Sequence, residues 1–325
     1  MSVTLPDTIR AFILQSTNAR KLLSTDLLQS LWSGYGKIVR CHLVGTDFPS
    51  LILKWVRPQL EANHPRGWNT STSHTRKLRS YKIEIEWYMR WAAQCPETCR
   101  VPKYISSRQD GEESILLIED LDASGFSERR DTLERDELKS CLDWLAAFHS
   151  RFIRVEPTDL WPTGTYWHLA TRQDEWQNMR SGKLKKRAKH LDNMLSSARY
   201  QTIIHGDAKL ANFCFSARTK AVSALDFQYV GGGVGVKDLA YFLSSCLDND
   251  ALFESHNWCL DRYFSQLKHW SEPTLGADAF SELENEWRSL YSVAVADFAR
   301  FLEGWNPGHW KLNDYTRNHV DQVLS

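Results

Sequence analysis

Apolar positions in the first third of the chain change rhythm several times. "TIRAFILQ", residues 8–15, reads as a helix. Thr25 or Asp26 is placed to cap a second, short helix through "LLQSLWSG", residues 27–34. "KIVRCHLVG", residues 37–45, and "SLILKWV", residues 50–56, have the β-prone runs of strands. The turn-rich "GTDFPS" between them predicts an antiparallel hairpin. A polar stretch, "RPQLEANHPRGWNTSTS", residues 57–73, predicts a loop. "SHTRKLRSYKIEIEWYMRWAAQ", residues 73–94, predicts a helix with Ser73 as N-cap and Cys95–Pro96 as its stop. "SILLIEDL", residues 114–121, is a short buried strand that ends in two acids, Glu119 and Asp120.

The texture then changes. "ERDELKSCLDWLAAFHSRF", residues 134–152, sets Leu138, Leu142, Leu145 and Phe148 at helical spacing. A basic, polar helix is predicted over roughly Asp174 to Asp192. In "NFCFSARTKAVSALDF", residues 212–227, two short strands flank a turn. From Val236 onward the pattern is nearly all helical. The expected class is α+β, with a small β-rich front over residues 1–121 and a larger, mainly helical back over 122–325.

Composition adds limits more than leads. With 42% hydrophobic and 25% charged residues, the chain is ordinary for a globular protein that buries a large core. Its net charge of zero predicts no nucleic-acid partner. From Gly231 to Ser325 there are 14 acidic against 7 basic residues, so the rest of the chain carries the positive excess. Seven scattered cysteines form no zinc pattern and suggest reduced thiols. No apolar run is long enough for a bilayer, and "MSVTLPDTIRAFILQ" lacks the core of a signal peptide. The expectation is a cytoplasmic protein without membrane insertion.

The chemistry is concentrated in "IIHGDAKLANFCF", residues 203–215. Four polar residues, His205, Asp207, Lys209 and Asn212, interrupt two strand-like runs. The hairpin that follows returns Asp226 beside Asn212. An amide oxygen and a carboxylate suit a hard cation such as magnesium. Asp207 is spaced to accept a proton from an attacking hydroxyl. Lys209 is spaced to stabilise a phosphoryl group in flight. An acid, a lysine and two metal ligands are the minimum parts of phosphoryl transfer. A polar turn between strands would explain any one of these residues, but not all of them together. In the front, Lys54 sits among apolar residues of a strand and calls for an anionic partner, unless it snorkels from a sheet edge. Glu84 borders the helical face of Tyr81, Ile85 and Tyr88, while Glu86 points elsewhere.

"HGDAKLAN" followed by "LDFQ" resembles the catalytic loop and metal motif of the protein-kinase-like small-molecule kinases. That superfamily takes in aminoglycoside phosphotransferases, choline and ethanolamine kinases and the ecdysteroid-kinase-like group. The "DFQ" and the downstream "KDLAYFLSSCL" are most similar to the last of these. The resemblance runs from about Gly34 to about Leu260. It implies a bilobal protein-kinase-like fold, ATP as phosphate donor and magnesium. Asp207 would be the base, with Asn212 and Asp226 as metal ligands. Lys54 would hold the α and β phosphates and pair with Glu84, or else with Glu86. "SILLIEDL" would be the linker strand whose backbone holds adenine, with Glu119 and Leu121 beside the nucleotide. Asp238 would support the catalytic loop. The phosphate-covering loop is "SGYGK", residues 33–37, or else that stretch is a simple turn. "VGGGVG", residues 230–235, would be the flexible segment after the metal aspartate.

The predicted activity is transfer of the γ-phosphate of ATP to a hydroxyl of a small-molecule acceptor. The alternative is a nucleotide-binding pseudokinase that does not turn over. Such a protein usually lacks one of these residues, and none is missing. A protein kinase is disfavoured because helices follow the "DFQ" so soon. The acceptor is not legible: Trp258, Trp270, Trp287, Trp305 and Trp310 with the acidic excess would suit a cation, and the rings alone an apolar alcohol.

Overall fold

The computed structural model describes residues 2–31, 34–58 and 71–325. Ser33 of the glycine-bearing stretch and most of the polar loop expected over 57–73 lie outside these residues. The chain divides into two compact units. The first contains Met1–Gln94, Val101–Glu128 and Cys214–Thr219. The second contains Cys95–Arg100, Arg129–Phe213 and Lys220–Ser325.

The first unit is built on an antiparallel sheet. Its strands are Lys21–Ser30 (β1), Gly36–Val44 (β2), Ser50–Val56 (β3), Tyr104–Asp110 (β4) and Glu113–Glu119 (β5). Their order across the sheet is β1-β2-β3-β5-β4. The expected hairpin is β2–β3, with Ile38 opposite Lys54. Alternation along β3 sends Leu51 and Leu53 into one core with Ile9 and Ile13 of the helix Asp7–Thr17 (α1). Val56 packs on the opposite face with Tyr81. Tyr81 lies on the helix Ser71–Glu86 (α2). Lys54 shares the parity of Val56 and therefore points to the α2 side.

Two expectations are corrected here. Residues 27–30 belong to β1 and do not open a second helix. Thr25 and Asp26 cap nothing and lie in β1, where the Thr25 hydroxyl donates to the Val3 carbonyl at 2.5 Å. Asp26 meets His42 of β2 at 2.7 Å. Pairing with β2 overrides a locally helix-like run. Ser73 is no N-cap, because α2 begins at Ser71. The chain after α2 continues through a π-turn at Trp87–Trp91, which buries Trp87 and Tyr88, and a 3₁₀ turn at Ala92–Gln94.

The second unit is mainly helical. Its helices are Arg135–Arg151 (α3), Gln173–Asn178 (α4), Lys183–Ser196 (α5), Val236–Cys246 (α6), Asn249–Leu275 (α7), Ala277–Trp305 (α8) and Asp314–Leu324 (α9). Glu134 and Glu137 close a capping box at the start of α3. The single basic helix expected over 174–192 is two, broken between Asn178 and Lys183. Short strands lie at Thr202–Ile204 (β6), Phe213–Phe215 (β7), Val222–Ala224 (β8) and Gly231–Gly233 (β9). β9 pairs antiparallel with β6. The glycines expected to form a flexible segment are thus partly a strand. They are small because a Cβ on Gly231 would come within 2.2 Å of the Trp161 carbonyl oxygen. Among the described residues, no helix is long and apolar enough to cross a membrane. All seven cysteines are free thiols.

Candidate active site

The polar loop begins where β6 ends, and α6 holds its backbone. Asp238, in the first turn of α6, accepts the His205 N–H at 2.6 Å and the Gly206 N–H at 2.9 Å. His149 of α3 reaches the same carboxylate through Nε2 at 3.1 Å. Asp238 is fully buried, so all three bonds form out of water, where charged hydrogen bonds are strongest. Gly206 has φ +78°, and a Cβ there would stand 2.0 Å from the Tyr229 carbonyl oxygen. Both the dihedral and the close approach require glycine. Further along, Ser245 of α6 accepts the Leu210 N–H at 2.8 Å.

The His205 ring ties the loop to the segment that carries Asp226. Its Nδ1 accepts the Asp207 N–H at 3.2 Å, so the ring proton sits on Nε2, which donates to the Leu225 carbonyl at 3.0 Å. The Leu225 N–H in turn donates to the Asn212 carbonyl at 3.0 Å. Asp226 follows directly. It has φ +68°, a conformation uncommon for a residue with a side chain and often kept where function demands it. Gln228 Nε2 donates to its Oδ1 at 2.5 Å.

Asp207 is the focus. Its Oδ2 accepts from Lys209 Nζ at 3.0 Å and from Asn212 Nδ2 at 3.2 Å. Asn212 Nδ2 also donates to the Asp207 carbonyl at 2.8 Å. Asp207 Oδ1 is buried and has no hydrogen-bond partner among the described residues. Burial raises the Asp207 pKa above the usual carboxylate range; Lys209 opposes this and the charge of Asp226 adds to it. For Lys209, burial alone would lower the pKa, but Asp207 and Asp226 raise it further, so the ammonium is held. The result is a buried carboxylate with one oxygen fixed and the other without a hydrogen bond of its own, with the Tyr241 hydroxyl facing the group. With its nitrogen spent on Asp207, Asn212 has its amide oxygen left for other work. That oxygen and the Asp226 carboxylate are hard donors of the kind magnesium takes.

In the first unit, Lys54 Nζ lies 2.6 Å from Glu84 Oε2, and both side chains are buried. Glu86 pairs instead with Arg90 at 3.1 Å, one turn along. Glu119 has its side chain occupied: Oε2 accepts the Lys103 N–H at 3.0 Å and Oε1 the Ser124 hydroxyl at 2.5 Å. The Leu121 carbonyl accepts N–H groups of Ser124 and Phe126. Asp120 is bound by Arg40 and Ser50, each at 2.6 Å. The eight residues singled out by sequence thus form two sets. Lys54, Glu84, Glu119 and Leu121 lie in the first unit, where Lys54 and Glu84 pair. Asp207, Lys209, Asn212 and Asp226 lie together in the second. The sequence reading passed over Tyr241 and Ser245, although they follow Asp238 by three and seven residues on one face of α6.

Comparison with known proteins gives the family and the fold. A model of the phosphotransferase enzyme family matches residues 44–270. The chain belongs to that family. No curated protein sequence matches the chain. Among solved structures, an amicoumacin kinase, hAmiN, in complex with AMP-PNP, Ca2+ and Ami, is similar with a TM-score of 0.55 at 10% identity. That match covers 98% of this chain and 92% of the other. A microcompartment-associated aminopropanol kinase is similar with a TM-score of 0.53 at 14% identity, covering 98% of this chain and 95% of the other. The phosphotransferase therefore has the bilobal kinase-like fold expected from its sequence.

Proposed function

We propose that the chain is an ATP-dependent phosphotransferase that moves the γ-phosphate to a hydroxyl of a small molecule. The observation that carries this reading is the carboxylate of Asp207. One oxygen is held by Lys209 and Asn212, and the other is buried without a partner. An acceptor hydroxyl is the donor that oxygen lacks. Asp207 orients the hydroxyl and takes its proton, which its raised pKa favours. Lys209 carries positive charge to the transferring group. Asn212 and Asp226 hold magnesium, which when bound neutralises charge on the phosphate oxygens. Lys54, oriented by Glu84, contacts the α and β phosphates of the donor. Backbone groups around Glu119 and Leu121 hold the adenine. Within the family, the "DFQ" and "KDLAYFLSSCL" segments support the ecdysteroid-kinase-like group as the nearest. The similarity to an amicoumacin kinase and an aminopropanol kinase supports a small polar acceptor in general.

The test is ADP release over a panel of alcohols, amino alcohols, sugars and sterols. Release that needs both magnesium and an acceptor is expected. Tight ATP binding with no turnover over the whole panel would favour a nucleotide sensor. Lys54 gives a separate check. Lys54→Met is expected to raise the KM for ATP by about 10- to 100-fold, the worth of a hydrogen bond to a charged group. It also takes the Lys54 ammonium away from buried Glu84, at a cost of about 3–5 kcal/mol. Adding Glu84→Leu should restore most of the stability in urea unfolding and none of the ATP affinity. Recovery of both would contradict the assignment.

A further inference from the structure

Lys311 lies beyond the residues matched by the family model and has no local motif around it. It is only 8% exposed. Its Nζ sits 4.6 Å from the ring centre of Tyr241, 5.6 Å from Phe298 and 5.4 Å from Trp310. Its ammonium makes no hydrogen bond or ion pair with any described residue, while its backbone bonds to His309 and Thr316. Aromatic faces attract a cation but accept none of its three N–H bonds in the way an oxygen does. The ammonium is therefore left to water or to a ligand for its acceptors.

The lysine also stands close to the reacting end of the site. Asp238, Tyr241 and Ser245 share one face of α6, and the first and last of them bond to the loop on either side of Asp207. Tyr241 lies between the two. Its ring is under Lys311, and its hydroxyl faces Asp207; burial, with Tyr166 and Asp207 beside it, pushes the phenol pKa up. Asp207 is the foremost charge acting on Lys311. Burial brings the Lys311 ammonium down to about 8 despite that carboxylate.

Five acids of the C-terminal segment are paired elsewhere. Glu282 and Glu286 bind the side chain and backbone of Arg199. Glu284 and Asp261 bind Arg288, and Asp297 binds Arg300. Trp287 is fully buried and donates to the Tyr200 carbonyl. These five acids therefore offer no cradle for a cation beside these rings. What the rings surround is itself a cation.

Building on the proposed phosphotransfer, we propose that Lys311 recognises the acceptor, and that the acceptor is an anionic alcohol. Its carboxylate pairs with Lys311 while its hydroxyl faces Asp207. Hydroxy acids and sugar acids fit this description, and amino alcohols do not.

The experiment uses matched acceptors with a common skeleton: glucuronate, glucose and glucosamine, then glycerate, glycerol and 3-aminopropane-1,2-diol. Binding is measured by calorimetry with AMP-PNP and magnesium, and turnover by ADP release with ATP. The acid of at least one set should bind and react best. In Lys311→Met, the preference for the acid over its neutral counterpart should fall about 10- to 100-fold, mostly through KM. Lys311→Arg should keep much of it. Failure of both acids to bind, preference for the amine, or an equal loss for all members of a set would overturn the proposal. So would a loss confined to the KM for ATP, which would place Lys311 on the donor phosphates instead. If the protein does not bind magnesium and ATP at all, the phosphotransfer reading itself fails. If it turns over ATP with neutral or amine acceptors alone, only the role of Lys311 fails.

Discussion

Asp207→Asn protein is expected to transfer phosphate about 10²- to 10⁴-fold more slowly than wild type, the usual worth of a positioned general base. The amide keeps the shape and can still accept from Lys209 and Asn212, but it cannot take a proton. The loss should therefore fall on kcat, with the KM for ATP little changed. Stability should move the other way. Burial raises the pKa of Asp207 in the folded state, so the native protein resists its ionisation more than the unfolded chain does. Stability from this group is greatest at low pH. It declines as pH rises from the unfolded value, about 3.9, through the raised folded value. At neutral pH the ionised carboxylate is a burden that Asn removes. A Tm equal to or above that of wild type, with activity gone, is the expected pair of results. A kcat within tenfold of wild type would remove Asp207 from the base role.

The second large effect concerns a residue that touches no reacting atom. Asp238→Ala takes the acceptor away from two backbone N–H groups and from His149, all buried. Leaving such donors unpaired is expected to cost about 3–5 kcal/mol in urea unfolding. Asp238→Asn should recover only part of this, because its NH₂ group must face one of the donors. Activity should fall with stability in both variants, since the backbone of His205 and Gly206 loses its anchor next to Asp207. A cost below about 1 kcal/mol for the Ala variant would mean that the loop holds its shape without α6.

How far the sequence carries a reader depends on where the determining contacts lie. The cluster of Asp207, Lys209 and Asn212 is legible because a single short loop contains it, and the local turns bring its members together. Asp226 is legible because a short return of the chain follows directly. The β2–β3 hairpin and the helices from α6 onward are legible for the same local reason. β1 is not, since "LLSTDLLQ" has a helical look and becomes a strand only by lying against β2. β4 is missed because its residues are largely polar and half-exposed at the edge of the sheet. Which glutamate meets Lys54 needs both the face of β3 and the packing of α2, so the sequence leaves Glu84 and Glu86 open. Lys311 is the extreme case. Nothing around it in the chain marks it, and its burial comes from Tyr241 and Phe298, on helices well before it in the chain.

The central claim is chemical, and transfer of label tests it most directly. Wild-type protein and Asp207→Asn are incubated with magnesium, an acceptor mixture and ATP labelled in its γ-phosphate. The account predicts label on the hydroxyl of a small molecule with wild type and almost none with the variant. Label that stays in ATP, or appears only as inorganic phosphate with every acceptor supplied, would contradict it.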